Sequence, residues 1–274
     1  MEDIDIFEEE IFYNTPDGIK ICARISKKIK KEPMGNIIMV HGLNNDMDED
    51  GSFIKLSVIF NKINKKRYNT LRFDFRGHWD SEGKTEDVTI NGELIDLETS
   101  IKKFDEIIGV ESKYIIIASS FGAVASILYI LKNEEKIEKL VLWNPVLDLE
   151  KTFLNAITPW GKTFFNPTGY EKLRTKGYIT IPETDFRIGR ELVQEFKKIK
   201  PYQLLSQIKI PVLTIHGTKD VAVPFEISKK YGIPNEQSQF IAHDCEHTFI
   251  GMVGVVIEET FEWITTGKIS NDVL

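Results

Sequence analysis

The chain is 274 residues long, 42% apolar and 28% charged, which is ordinary globular usage and excludes a disordered or fibrous protein. Its formal charge is -7, from 35 basic and 42 acidic side chains. An acidic chain repels phosphate backbones, so nucleic acid is not an expected partner. The length fits one α/β enzyme domain carrying an inserted subdomain.

The acidic start, Met1 to Asp5, lacks the basic and apolar regions of a secretion signal. The run Lys27-Lys28-Ile29-Lys30-Lys31 reads as a solvated basic loop. Cys22 and Cys245 are the only cysteines, too few for a disulfide framework or a zinc pattern. The longest apolar stretches, such as Phe121 to Leu131, fall short of a membrane span. A cytoplasmic protein with no membrane span is expected.

The elements follow in chain order. Glu10 to Tyr13 is a short strand, Thr15-Pro16-Asp17-Gly18 a turn, and Ile19 to Ile25 an alternating return strand. Then the pattern changes to short apolar runs: Asn36–Val40, Asn69–Phe75, Tyr114–Ala118, Leu140–Trp143, Pro211–Ile215 and Gln239–Ile241. Such runs mark strands buried on both faces, although Leu71, Phe73 and Phe75 alternate. Helical spacing lies between several of them, as at Leu94, Leu97, Ile101 and Phe104, and at Ala123, Ile127, Ile130 and Leu131. Alternating strands and helices predict a mostly parallel central sheet with flanking helices. From Trp143 to Pro211 no core strand is visible, and Pro159, Pro167, Pro182 and Pro201 punctuate the gap. A connection that long is usually functional. It is read as a mainly helical cap at residues 146–208, inserted into a core of residues 1–145 and 209–274.

In open parallel sheets, ligands bind beyond the carboxyl ends of the strands. All five histidines, His41, His78, His216, His243 and His247, fall near such ends. The sharpest segment is Ala118-Ser119-Ser120-Phe121-Gly122, between an apolar strand and a helix rich in small residues. It nearly matches G-x-S-x-G, a strained turn that lifts a serine hydroxyl above the sheet, with Ala118 in place of the first Gly. A loose match arises by chance in roughly one chain of this length in five, so its position carries the weight. A serine nucleophile needs a base, and the base needs an orienting acid. Asp220 and His247 follow later strands in the order Ser, Asp, His. Lys219 is a rival partner for Asp220, and His243 a rival for His247. Oxyanion donors are expected from the backbone N–H groups of Leu43, in His41-Gly42-Leu43, and Phe121.

With these residues in place, the chain resembles an α/β-hydrolase along essentially its whole length. More closely, it resembles the bacterial cinnamoyl/feruloyl esterase-like branch of serine hydrolases. The matching stretches are Val40-His41-Gly42, Leu71 to His78, Asp80 to Lys84, Glu86 to Thr89, Ile215 to Asp220 and Glu246 to Phe249. The resemblance implies carboxylic-ester hydrolysis by a Ser120-Asp220-His247 triad through an acyl-enzyme. It also implies a cap between the sixth and seventh core strands. An elbow that opens with Ala is similar to that of fatty-acyl thioesterases linked to bacterial luminescence.

The expected substrate is a small-molecule ester of a small to medium acyl or aromatic acid, with Trp160, Phe164 and Phe165 as candidate acyl contacts. The chemistry requires no metal or organic cofactor. An acyl-thioesterase or acyltransferase would use the same triad. A catalytically silent ligand-binding protein would use the same fold without it. A metal hydrolase would use His243 with His247 or His78 with Asp80, but the segment at 243–247 reads as a loop with Asp244 where a helical zinc motif needs Glu. An exposed edge strand offers a surface for a homodimer.

Overall fold

The apolar runs become the core strands of an eight-stranded sheet in the computed structural model of the chain, which describes residues 7–27, 33–62, 68–109 and 113–269. The acidic start and the basic run at residues 28–31 lie outside the described residues. A hairpin of β1 (Phe7–Asn14) and β2 (Lys20–Lys27) opens the chain. Its turn is closed by a bond from the Gly18 N–H to the Thr15 carbonyl, with Gly18 at φ 89°. The hairpin joins β3 (Asn36–Val40), β4 (Asn69–Phe73), β5 (Tyr114–Ser119), β6 (Ile137–Trp143), β9 (Val212–Gly217) and β10 (Gln239–His243). The order is β1-β2-β4-β3-β5-β6-β9-β10. Among the described residues of this sheet, only the β1–β2 and β2–β4 pairs are antiparallel.

Successive side chains on a strand face opposite ways, and the core divides accordingly. Ile38, Val40, Ile116, Leu140 and Leu142 pack toward α2 (Ile90–Ile108) and α3 (Gly122–Asn133). Ile37, Met39, Ile117, Val141 and Trp143 pack toward α1 (Ser52–Lys62) and α9 (Val253–Thr266). Both faces are covered, which is why these strands read as continuous apolar runs.

The alternation in β4 does not mark a wet face. Thr70, Arg72 and Asp74 are buried with the rest. Thr70 bonds Ser57, Arg72 pairs with Asp48 and Glu8, and Asp74 accepts the Met47 N–H. These residues are tolerated because each is paired, Arg72 through its two terminal nitrogens.

Between β6 and β9, the sixth and seventh strands of the main sheet, the chain leaves the sheet. It forms a π-helical turn (Glu150–Leu154), then α4 (Pro159–Phe164), α5 (Pro167–Lys176), a ribbon of β7 (Tyr178–Thr180) and β8 (Arg187–Gly189), α6 (Arg190–Lys198) and α7 (Pro201–Leu205). The short helix α8 (Phe225–Tyr231) follows β9. Phe153, Phe164, Phe165, Phe186 and Phe196 of the insertion share one apolar cluster with Phe121, Val124, Val88 and Ile90 of the core. The insertion is thereby seated directly against the start of α3.

No helix among the described residues is long and apolar enough to cross a membrane.

Candidate active site

β3 has β4 on one side and β5 on the other. Loops leaving β3 and β5 therefore diverge at a switch point, which opens a crevice at their carboxyl ends. The segment after β5 crosses this crevice as a sharp turn. Ser120 has φ 49°, a left-handed conformation that costs a non-glycine residue about 1–3 kcal/mol. Its two shortest backbone bonds hold it there. The Ser120 N–H donates to the Trp143 carbonyl at 2.8 Å, and the Val146 N–H donates to the Ser120 carbonyl at 2.9 Å. A Cβ on Gly122 would lie 2.3 Å from the His41 carbonyl oxygen and 2.8 Å from that of Val40, so only glycine fits. Ala118, by contrast, lies within regular β5, buried and paired with Val40 and Leu142. A methyl group there meets no such conflict.

Three residues from separate loops meet above this turn. His247 Nε2 lies 3.1 Å from Ser120 Oγ, and His247 Nδ1 lies 2.6 Å from Asp220 Oδ2. A carboxylate can only accept, so Nδ1 carries the proton and Nε2 is left to accept from the serine. The Asp220 side chain is fully buried, while His247 keeps about a quarter of its side-chain surface exposed, at 25%. Burial would push the Asp220 carboxyl up. The His247 charge and the bonds from His216 and His247 overcome it and hold the group far below the usual carboxylate range. Partial removal from water pulls His247 down. The Asp220 charge and hydrogen bond, then the charges of Glu49 and Asp50, outweigh this and leave it raised.

Asp220 is also pinned by contacts that the sequence did not announce. Its Oδ2 takes a second bond from His216 Nε2 at 3.0 Å, and its Oδ1 accepts the N–H groups of Ala222 and Val223, each at 2.8 Å. Asn144, at the end of β6, ties the two partner loops together. Its Oδ1 accepts the Gly217 N–H and its Nδ2 donates to the His247 carbonyl. Its only sequence signal was the Asn144-Pro145 strand end.

The rivals are engaged elsewhere. Lys219 pairs with Asp244 rather than with Asp220, at 2.9 Å. His243 Nε2 bonds Glu259 of α9 at 2.7 Å. His41 is buried and accepts the Phe75 N–H, while buried His78 sits beside Phe186 of the insertion. The one group of described residues spaced to hold a metal ion is Cys22, Asp74 and Asp80, and it contains no histidine.

Leu43 and Phe121 flank the serine from the β3 and β5 sides. Among the described residues, neither backbone N–H donates to a protein acceptor. A Cβ on Gly42 would lie 2.9 Å from Ser120 Cβ, so the loop after β3 passes directly against the nucleophile. A cavity of about 100 Å³ opens beside Ser120, with Leu43, Asn44, Glu49, Asp50, Ser119 and His247 on its wall. Trp160, Phe164 and Phe165 are not on that wall. They pack on Phe153 and on one another in the cluster that contains Phe121, and the Trp160 N–H donates to the Val221 carbonyl, next to Asp220, at 3.1 Å.

Known proteins share this fold. A family model described as serine aminopeptidase, S33 (Hydrolase_4), matches residues 31–240. Est1E from Butyrivibrio proteoclasticus, solved with ferulic acid bound, superposes with a TM-score of 0.78 at 20% identity, covering 93% of this chain and 98% of that one. The Pyrococcus furiosus esterase Pf2001 gives 0.68 at 22% identity, covering 96% and 94%. Mouse alpha/beta hydrolase domain-containing protein 10 gives 0.70 at 18% identity, covering 95% and 100%. No curated protein matches in sequence. At such identities the superpositions establish a shared fold.

Proposed function

Because the chain belongs to the serine aminopeptidase S33 family of α/β-hydrolases, we propose that it is a serine hydrolase cleaving carboxylic esters of small to medium acyl or aromatic acids. One observation carries the reading: the continuous relay from Ser120 Oγ through His247 to Asp220, with contacts of 3.1 Å and 2.6 Å. In the proposed reaction Ser120 Oγ attacks the ester carbonyl while His247 Nε2 takes its proton. The N–H groups of Leu43 and Phe121 hold the oxyanion. Collapse of the intermediate expels the alcohol, which His247 protonates. Water, deprotonated by His247, then releases the acid from Ser120. Asp220 fixes the imidazole tautomer and stabilises the imidazolium.

The esterase neighbours support an oxyester substrate, and the ferulic acid bound to Est1E supports an aromatic acyl group. The segment at 146–208 would act as a cap. Its aromatic cluster meets the site at Phe121, so acyl length would be read there, with Trp160, Phe164 and Phe165 behind it.

Hydrolysis of p-nitrophenyl esters from acetate to myristate, methyl ferulate and one acyl-thioester tests the reading. Wild type should turn over oxyesters, and Ser120→Ala should lose on the order of 10³-fold or more. A near-normal rate in that variant would remove Ser120 from the mechanism. Faster thioester than oxyester turnover would reassign the protein as a thioesterase. A flat baseline, together with no labelling by a fluorophosphonate, would leave a silent ligand-binding scaffold.

A further inference from the structure

We infer that Glu49 is a positioning residue of this site: its carboxylate clamps the loop after β3 to the end of β5 and sets a negative charge beside His247. The inference rests on the serine-hydrolase reading above.

Two bonds make the clamp. Glu49 Oε2 accepts the Gly42 N–H at 2.9 Å, and Glu49 Oε1 accepts the Ser119 hydroxyl at 2.8 Å. Gly42 immediately precedes Leu43, and Ser119 immediately precedes Ser120. One carboxylate therefore holds both chain segments whose N–H groups would bind the oxyanion. The contact between the segments has no slack, since a Cβ on Gly42 would meet Ser120 Cβ at 2.9 Å. Glu49 reaches back to its own loop because the chain turns sharply there: Glu49 has φ 46° and Asp50 φ 52°, both in the left-handed region. Such strain persists only where surrounding contacts impose it.

Charge is the second half of the role. Glu49 and His247 face the same cavity. Removal from water pushes the Glu49 carboxyl up to about 7, although the bonds from Gly42 and Ser119 and the His247 charge pull it down. A hydroxyl can donate to a carboxylate or accept from a carboxylic acid, so the Ser119 contact survives either state. Titration thus changes the charge beside His247 while the clamp stays in place. The ionisable groups acting on His247 are Asp220 and His216 from the β9 side, and Glu49 and Asp50 from the loop after β3. An ionised Glu49 favours the imidazolium that forms when Ser120 gives up its proton.

The test is the pH profile of kcat/KM for p-nitrophenyl acetate with Glu49→Gln and Glu49→Ala, checked for folding by circular dichroism. Glutamine keeps an acceptor for Gly42 and a donor for Ser119 but loses the charge. Its acid limb should move to lower pH by about half a unit or more, with kcat within about threefold of wild type. Alanine releases the clamp, and kcat should fall by about tenfold or more at little-changed KM. An unmoved acid limb in Glu49→Gln, or a wild-type kcat in folded Glu49→Ala, overturns the inference. Should Glu49→Ala fail to fold, the Glu49→Gln limb decides alone. Ser120→Ala run alongside separates the two readings. If it stays active, the serine mechanism fails. If it is inactive and the Glu49→Gln limb has not moved, only the role of Glu49 fails.

Discussion

Asp220 accepts four hydrogen bonds with two oxygens: two imidazoles on Oδ2 and two backbone N–H groups on Oδ1. The loop bonds fix the side chain, so Asp220→Asn should keep its amide oxygen toward Ala222 and Val223. The amide nitrogen would then face His247 Nδ1. A donor meeting a donor forces the other imidazole tautomer and puts the proton on Nε2, where Ser120 needs an acceptor. The expected loss in kcat is on the order of 10³- to 10⁴-fold, with KM changed little, in single-turnover and steady-state assays of p-nitrophenyl acetate. Near-normal turnover would mean that another acid orients His247. Ser120, Asp220 and His247 could be picked out from sequence because each follows an apolar run, where a parallel sheet places its loops. Glu49 could not. Its reach to Gly42 and Ser119 depends on two consecutive left-handed residues, and nothing in Asp46-Met47-Asp48-Glu49-Asp50 marks them. His216 also escaped a role, since its bond to Asp220 is a property of the turn between them rather than of either residue type.

At the level of elements, strands buried on both faces were the most legible. Asn36–Val40 is legible at its observed bounds because Ile37 to Val40 are apolar on both faces. β6 starts earlier than its apolar core because Ile137 to Lys139 includes an exposed residue, Glu138. β1 runs back to Phe7 through Glu8 and Glu9, where an edge strand tolerates exposed charge. The three-residue strands β7 and β8 were invisible, being too short for any period to register. What fastens the insertion to the core was equally hidden. Glu195 of α6 accepts the N–H groups of Ile90 and Asn91, at 2.5 and 3.2 Å, in the first turn of α2. These are donors that a helix start leaves without partners of its own. Gly189 closes a second contact, where a Cβ would overlap the Glu86 carbonyl oxygen at 1.9 Å. Glu195→Ala should therefore behave as the loss of a helix cap, costing about 1–2 kcal/mol and lowering Tm by a few degrees. Limited proteolysis should then cut within 146–208 faster than in wild type. Unchanged Tm and unchanged cutting would show that Glu195 does not fasten the insertion to the core.

Across the whole molecule, two sets of buried ionisable groups act on stability in opposite directions. Burial pushes Asp74 up to about 7, helped by the charges of Asp46 and Asp80 and opposed by the Met47 and Asp80 N–H groups. Burial also raises Glu93 well above its ordinary value. Such carboxyls hold a proton in the folded chain that the unfolded chain has already released. For Asp74, stability is greatest below its ordinary 3.8 and declines as pH rises to about 7. Burial lowers His78 to about 4 and holds His41 well below its ordinary value. These imidazoles stay neutral in the fold while the unfolded chain takes up protons. Their contribution is complete above the ordinary 6.5 and is lost as pH falls toward about 4. The two windows overlap, so the slope of Tm between about pH 4.5 and 6.5 is the difference between the carboxyl and the imidazole contributions. Asp74→Asn removes one member of the first set and leaves the histidines in place. It will lower stability at every pH, because an amide cannot accept both the Met47 and Asp80 N–H groups. The informative quantity is the slope. Tm of the variant, followed by calorimetry across that interval, should climb with pH more steeply than that of wild type. Parallel profiles would mean that Asp74 is already ionised in the folded protein and that its two N–H donors outweigh its burial.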